Sequence, residues 1–214
     1  MNARGLMRYP RLAVGAAALM WRNLNRARRL NPVVSRGVGD YRLCGMDRSR
    51  LAGALSLYQS LHDGRSLDLP RRWLYRLVGS RLGIVALDAR GQVVGAAFYS
   101  FNPRDLREGR VHSSFSGVLP AHRGRGVATE LRRTAILHFR DNGLVGYSAR
   151  ISSDNLASLK ASYRLGFRVV ERYRDPASQE ERCFLVCDFD SDYRDETDLE
   201  SDKDGRWNPA KDSA

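Results

Sequence analysis

The sequence predicts an α/β or α+β fold, and three observations predict it. Strand-like and helix-like segments alternate from Asp40 to Asp188, glycine-bearing turns separate many of them, and no internal repeat is visible. At 214 residues, with 43% hydrophobic and 28% charged residues, the chain suits one soluble core with appendages.

The elements follow in order. Residues 41–44 are a short strand candidate, and Leu51, Ala54, Leu55, Tyr58 and Leu61 recur at helical spacing. A second short helix is expected over residues 71–78. Residues 84–87 lead through the turn 88–91 into residues 93–99, a β-hairpin pattern. A further strand covers residues 110–119, and Pro120 stops it because proline has no N–H for a ladder. Val127, Leu131, Ala135 and Phe139 mark one face of a helix that ends at Asn142-Gly143. Residues 144–152 read as a strand, Asp154 or Asn155 caps a helix ending at Gly166, and strands at 168–173 and 183–189 close the core.

Both ends differ from this core. Residues 1–36 are basic, with an apolar run at 12–21 flanked by arginines on both sides. That run is too short for the roughly 20 residues that cross a bilayer as a helix. A secretory signal has a similar layout, but export would separate the protein from a cytosolic cosubstrate. The expectation is a helix over about residues 11–30, lying on an anionic membrane surface or on a partner, with packing on the domain's own surface as the alternative. Residues 190–214 are acidic and nearly free of aliphatics, so a disordered tail is expected there. The organisation is thus a basic extension (1–36), a catalytic-size domain (37–189) and an acidic tail (190–214).

The net charge is +12, carried almost wholly by arginine, which suits an anionic ligand or surface. No recognition motif for nucleic acid stands out, so none is expected as a partner. Cys44, Cys183 and Cys187 are odd in number and lack zinc-ligand spacing, which points to a reducing compartment, no disulfide framework and no metal.

The chemistry concentrates at residues 118–129. A strand ends, the turn Arg123-Gly124-Arg125-Gly126 follows, and a helix opens with Val127, Ala128 and Thr129. Free backbone N–H groups converge there at the positive end of the helix dipole, which makes a site for an anion and for a pyrophosphate in particular. Gly124 and Gly126 let the backbone approach phosphates, and Arg123 and Arg125 add charge. The spacing is neither that of a P-loop nor that of a dinucleotide-binding Gly-x-Gly-x-x-Gly site.

This segment resembles the GNAT acyltransferases, whose pyrophosphate turn has the form Arg/Gln-x-x-Gly-x-Gly/Ala. Arg123, Gly126 and Ala128 fill that pattern. Asn155, Ser158 and the closing Gly166-Phe167 match the family's second motif in the right order, and the resemblance covers residues 40–188. It implies a mixed, mostly antiparallel sheet of six to seven strands flanked by about four helices, with acetyl-CoA as the acyl donor. It further implies that Ser116, Gly117 and Val118 hold the pantetheine arm like an added strand, with Asn155 touching the same arm. The main-chain N–H of Val118 would then polarise the thioester carbonyl.

The pattern breaks at the proton-transfer groups. Relatives carry a tyrosine four residues before the final glycine, where Ser162 stands here; Tyr163 is one step further, about 100° around the helix. Relatives with a carboxylate five residues before the asparagine have Arg150 in its place here. His112 shares strand parity with Ser114 and Ser116 and, titrating near neutrality, is a candidate general base. Tyr163, Ser162 and His112 are therefore the candidate catalytic residues.

The expected activity is transfer of an acetyl group to a primary amine, of a small molecule or a protein, by direct attack in a ternary complex. A non-catalytic acyl-CoA-binding module of the same fold is the competing reading. A homodimer and a cytoplasmic location, peripheral at the inner membrane face, complete the expectations.

Overall fold

Short polar side chains start most of the helices in the computed structural model, which describes residues 8–176 and 178–189. Helix α1 is Arg8–Ala27. Strands β1 (Arg36–Val38) and β2 (Tyr41–Gly45) form a hairpin. The Asp47 carboxylate accepts from Ser49 N and Arg50 N and opens α2 (Arg48–Ser60). Asp68 accepts from Arg71 N and opens α3 (Leu69–Leu82), which is longer than the 71–78 expected from sequence and kinks at Val78. Strands β3 (Gly83–Leu87) and β4 (Val93–Ser100) follow, joined by a turn in which Asp88 accepts from Arg90 N and Gln92 N.

Asn102 caps the short α4 (Pro103–Arg107), and β5 runs Arg110–Val118. A 3₁₀ turn at Pro120–His122 leads to α5 (Val127–Asp141) and β6 (Gly146–Ser152). Asn155 caps α6 (Leu156–Tyr163), and β7 (Arg168–Arg174) and β8 (Glu181–Asp188) end the fold.

The eight strands form one sheet in the order β1-β2-β3-β4-β5-β6-β8-β7, in which every pairing is antiparallel except β5 with β6. The count exceeds the expected six to seven because β1 is a three-residue strand, Arg-Gly-Val, with no apolar alternation to announce it. Likewise α4, five residues long, carries no periodic signal.

Alternation along β4 distributes the core on both faces. Phe98 meets Tyr58 of α2 and Tyr75 of α3 on one face, while Tyr99 meets Phe139 of α5 and Tyr147 of β6 on the other. All of β3 is buried between the two layers. The three cysteines are buried and unbridged, in keeping with their role as small apolar groups.

The second half of α1 packs on α3. Asn23 is fully buried; its amide donates to Phe101 O at 3.2 Å and its carbonyl accepts from Phe101 N at 2.6 Å. Arg22 Nε also donates to Phe101 O, at 2.6 Å, and Ala27 and Leu30 join the core. The opposite side of the helix, with Val14 and Trp21, is exposed. Among the described residues, no helix is long and apolar enough to cross a membrane. The expected acidic tail lies outside the described residues.

Candidate active site

Two strands that begin together and then part create the site. β5 pairs with β4 from Ser100↔His112 to Gly95↔Val118, but with β6 only from Arg110↔Gly146 to Ser113↔Ala149. Beyond that point β5 offers one edge of backbone groups, and so does β6, leaving room for an extended ligand to lie between them as a strand would. A bulge marks the parting: Phe98↔Phe115 is followed by Tyr99↔Ser113, which makes Ser114 the extra residue.

The bulge corrects the parity argument for His112. Ser114 Oγ lies 2.7 Å from Ser100 Oγ, on the face that His112 shares through its pairing with Ser100. A methyl on Gly117 would meet Leu61, the residue that ends α2, and the Phe115 ring, so both residues look toward α2 and Ser116 between them looks the other way. Ser114 is thus with His112, and Ser116 is not.

A cavity of about 160 Å³ occupies the opening, lined by Ser113–Ser116 of β5, Arg132 of α5, residues 149–152 of β6, and Asn155 and Ser158. Arg132, which the sequence did not single out, is 6% exposed. Its guanidinium donates to Ser158 Oγ at 2.6 Å and so bridges α5 to α6. Its signal was faint: it lies one turn after Ala128, beside the apolar stripe of α5, and a second arginine, Arg133, follows it directly. Asn155 uses its side-chain oxygen as the α6 cap, accepting from Ser158 N at 3.1 Å.

At its outer end the opening meets the glycine turn. Gly124 and Gly126 have φ of +74° and +78°, values that side-chain-bearing residues rarely adopt, and Gly126 is the N-cap of α5 with no side-chain hydrogen bond closing the helix end. The first N–H groups of α5, at Val127, Ala128 and Thr129, therefore face outward as donors. A Cβ on either glycine would meet nothing within 4 Å, so the turn is open to a ligand. Arg123 Nε donates to Val118 O at 3.2 Å and ties the turn to the end of β5. Arg125 lines a second cavity of about 330 Å³ with Tyr41 and Glu130. Glu130, the one acid in the first turn of α5, is held by Arg36 and by Arg133 (2.9 Å), which offsets its charge beside the anion site.

The proton-transfer candidates are spread out. His112 Nδ1 lies 2.8 Å from Ser148 Oγ and 3.6 Å from Asp105 Oδ2, and the ring stacks on Phe184. Burial pushes its pKa down to about 4, against the partial support of Asp105, so it does not titrate near neutrality. Asp105 is itself fully buried and, among the described residues, its Oδ1 has no hydrogen-bond partner. Ser162 is buried and donates its hydroxyl to Ser158 O at 2.9 Å. Tyr163 is 37% exposed. None of these three lines the cavity between β5 and β6. Among the described residues, no group of three or more His, Cys, Asp or Glu side chains could hold a metal ion.

Known proteins share this plan. Residues 51–167, more than half of the chain, match the Acetyltransferase (GNAT) family. An L-methionine sulfoximine/L-methionine sulfone acetyltransferase of Pseudomonas aeruginosa is 32% identical over 130 residues, covering 56% of this chain and 75% of that protein. The yncA protein of Salmonella typhimurium, solved with its cofactor acetyl-CoA, superposes with a TM-score of 0.58 at 25% identity, over 69% of this chain and 93% of that one. The ribosomal-protein-S5-alanine acetyltransferase of Vibrio fischeri, at 17% identity and a TM-score of 0.61, shares the fold over 76% of this chain and 100% of its own. The chain belongs to the GNAT family of acetyltransferases.

Proposed function

We propose that the chain transfers an acetyl group from acetyl-CoA to the primary amine of a small molecule. The observation that carries this reading is the opening between β5 and β6 that ends on the uncapped start of α5. The residues present fit the cofactor: donors at residues 124–129 suit a pyrophosphate, and the unpaired edge at Ser116, Gly117 and Val118 suits an amide-bearing arm. Asn155, Ser158 and the buried Arg132 border the same path. The acetyl-CoA held by the Salmonella protein of the same fold supports it, and a relative named for acetylating L-methionine sulfoximine and sulfone supports a small acceptor.

In this reading the acceptor nitrogen, having lost one proton, attacks the thioester carbonyl carbon. The C–N bond forms, the C–S bond breaks, and a second proton passes from nitrogen toward the thiolate sulfur. Tyr163 is our choice for delivering that proton, since Ser162 commits its hydroxyl to the backbone and His112 is a buried, weak base. His112 then acts as a neutral group that positions β5 against β6 through Ser148.

The test is thiol release from acetyl-CoA with pools of small amines, read together with mass gain on the amine. Release that depends on an amine supports transfer. Tight CoA binding without release under every pool would identify a binding module instead.

A further inference from the structure

One charged side chain stands at the point where β5 and β6 part, and the mechanism above gives it no task. Arg150 is exposed, lines the cavity there, and its guanidinium makes no hydrogen bond or ion pair to the described residues. Strand register fixes its place. Ser148 is the partner of His112, and Arg150 lies two residues on, past the last paired residue, Ala149; it therefore sits on the His112 face, across the opening from the bulged Ser114. Its β8 partner is Phe184, whose ring stacks on His112 and carries Arg104 at 4.4 Å. Arg104 is occupied by Glu171 and Glu108, and Arg132 is buried against Ser158, so Arg150 is the exposed cation that lines this point.

A guanidinium here opposes a simple ammonium. Only an acceptor that brings its own negative charge gains by approaching, and the amine of such an acceptor must be close to the anion to reach the same opening. Arginine presents a planar fork that matches a carboxylate with two parallel hydrogen bonds.

Resting on the acetyl-transfer reading, we propose that Arg150 selects acceptors that carry a carboxylate adjacent to the amine, α-amino acids being the class. The carboxylate pairs with Arg150, and the nitrogen is turned toward the Ser114 bulge. Arg150 is thus a specificity-determining residue that acts by charge match.

The experiment uses the full chain, a panel of L-α-amino acids and the corresponding C-terminal amides. Each is measured for acetylation at saturating acetyl-CoA, and for equilibrium binding to the CoA-loaded protein by calorimetry. The expected result is a preference for at least one acid over its amide of about tenfold or more in kcat/KM, the size of one charge-assisted pair. Arg150→Gln is expected to remove that preference through KM while changing CoA affinity and amide turnover by no more than about twofold, and Arg150→Lys to restore part of it. Amides used or bound as well as acids, no binding of any acid, or an Arg150→Gln variant that keeps the preference would overturn the proposal. Acids that bind through Arg150 without being acetylated would sustain it and sink the acetyl-transfer reading, so the two failures are distinct.

Discussion

Arg132 and Ser158 meet across the floor of the β5–β6 opening, guanidinium to hydroxyl at 2.6 Å, and this contact ties the helix that begins at the anion turn to the helix that closes the site. An arginine only 6% exposed but adjacent to a cavity holds positive charge where a phosphate-bearing chain would lie. Arg132→Met is expected to weaken CoA binding by about tenfold or more, the worth of one charge-assisted hydrogen bond. Calorimetry with CoA checks it; an unchanged affinity would restrict Arg132 to bracing the helices.

Gly126 offers a test of the turn itself. Gly126→Ala keeps the open space but places a side chain at φ +78°, at a cost of about 1–2 kcal/mol. Gly126→Glu adds a carboxylate at the helix start and is expected to abolish CoA binding while the far-UV circular dichroism stays that of the parent. CoA bound equally by the Glu variant would move the pyrophosphate elsewhere.

How far these features were legible beforehand divides along physical lines. The hairpin β3–β4, the strand–turn–helix around Gly124 and Gly126, and an α6 cap at Asp154 or Asn155 announced themselves, because turn chemistry and periodicity are local; the structure chooses Asn155. The Ser114 bulge did not, since it exists only as a register between two strands, and it overturned the parity placed on Ser116. Arg132 and the buried Asp105 were equally hidden: nothing in a sequence separates an arginine or aspartate that folds inward from its solvated neighbours. The burial that lowers His112 has the same origin, as its surroundings are assembled from distant segments, the Phe184 ring and the Arg150 charge among them.

His112 makes stability depend on pH. Its folded pKa, about 4, lies below its unfolded value near 6.5, so the unfolded chain binds the proton first. The contribution is complete above about pH 6.5 and is lost as pH falls toward 4, at up to about 1.4 kcal/mol per pH unit. Urea melts at pH 7.0 and 5.5 on the parent and on His112→Gln check this: the parent is expected to lose more stability than the variant over that interval. Equal losses would mean that Asp105 already holds the ring protonated.

Tyr163→Phe tests the proton donor. A kcat lowered by about a hundredfold to ten-thousandfold with KM for acetyl-CoA unchanged is expected of a general acid. Steady-state kinetics that match the parent would shift the role to water.

Asn23 tests the place of α1. Removing its side chain leaves Phe101 N without its buried acceptor, while Phe101 O keeps Arg22 Nε, so Asn23→Ala is expected to cost about 1–3 kcal/mol in thermal or urea unfolding. CoA affinity is expected to stay the same. A variant as stable as the parent would show that the helix is held by its apolar contacts alone.

The single parallel joint has a consequence for how the molecule breathes. Strands β1–β5 and β6–β8 are two antiparallel half-sheets sewn together along four residue pairs, Arg110↔Gly146 to Ser113↔Ala149, with α5 as the crossover. Within each half, neighbouring strands are stitched along most of their length, whereas this seam has few bonds and requires the long α5 connection to close before it forms. Sub-global opening is expected to start there, with seam amides exchanging their hydrogens ahead of those in β3 and β8. A ligand wedged into the unsewn part would span both halves, so its arrival would slow that exchange and let the two half-sheets melt as one.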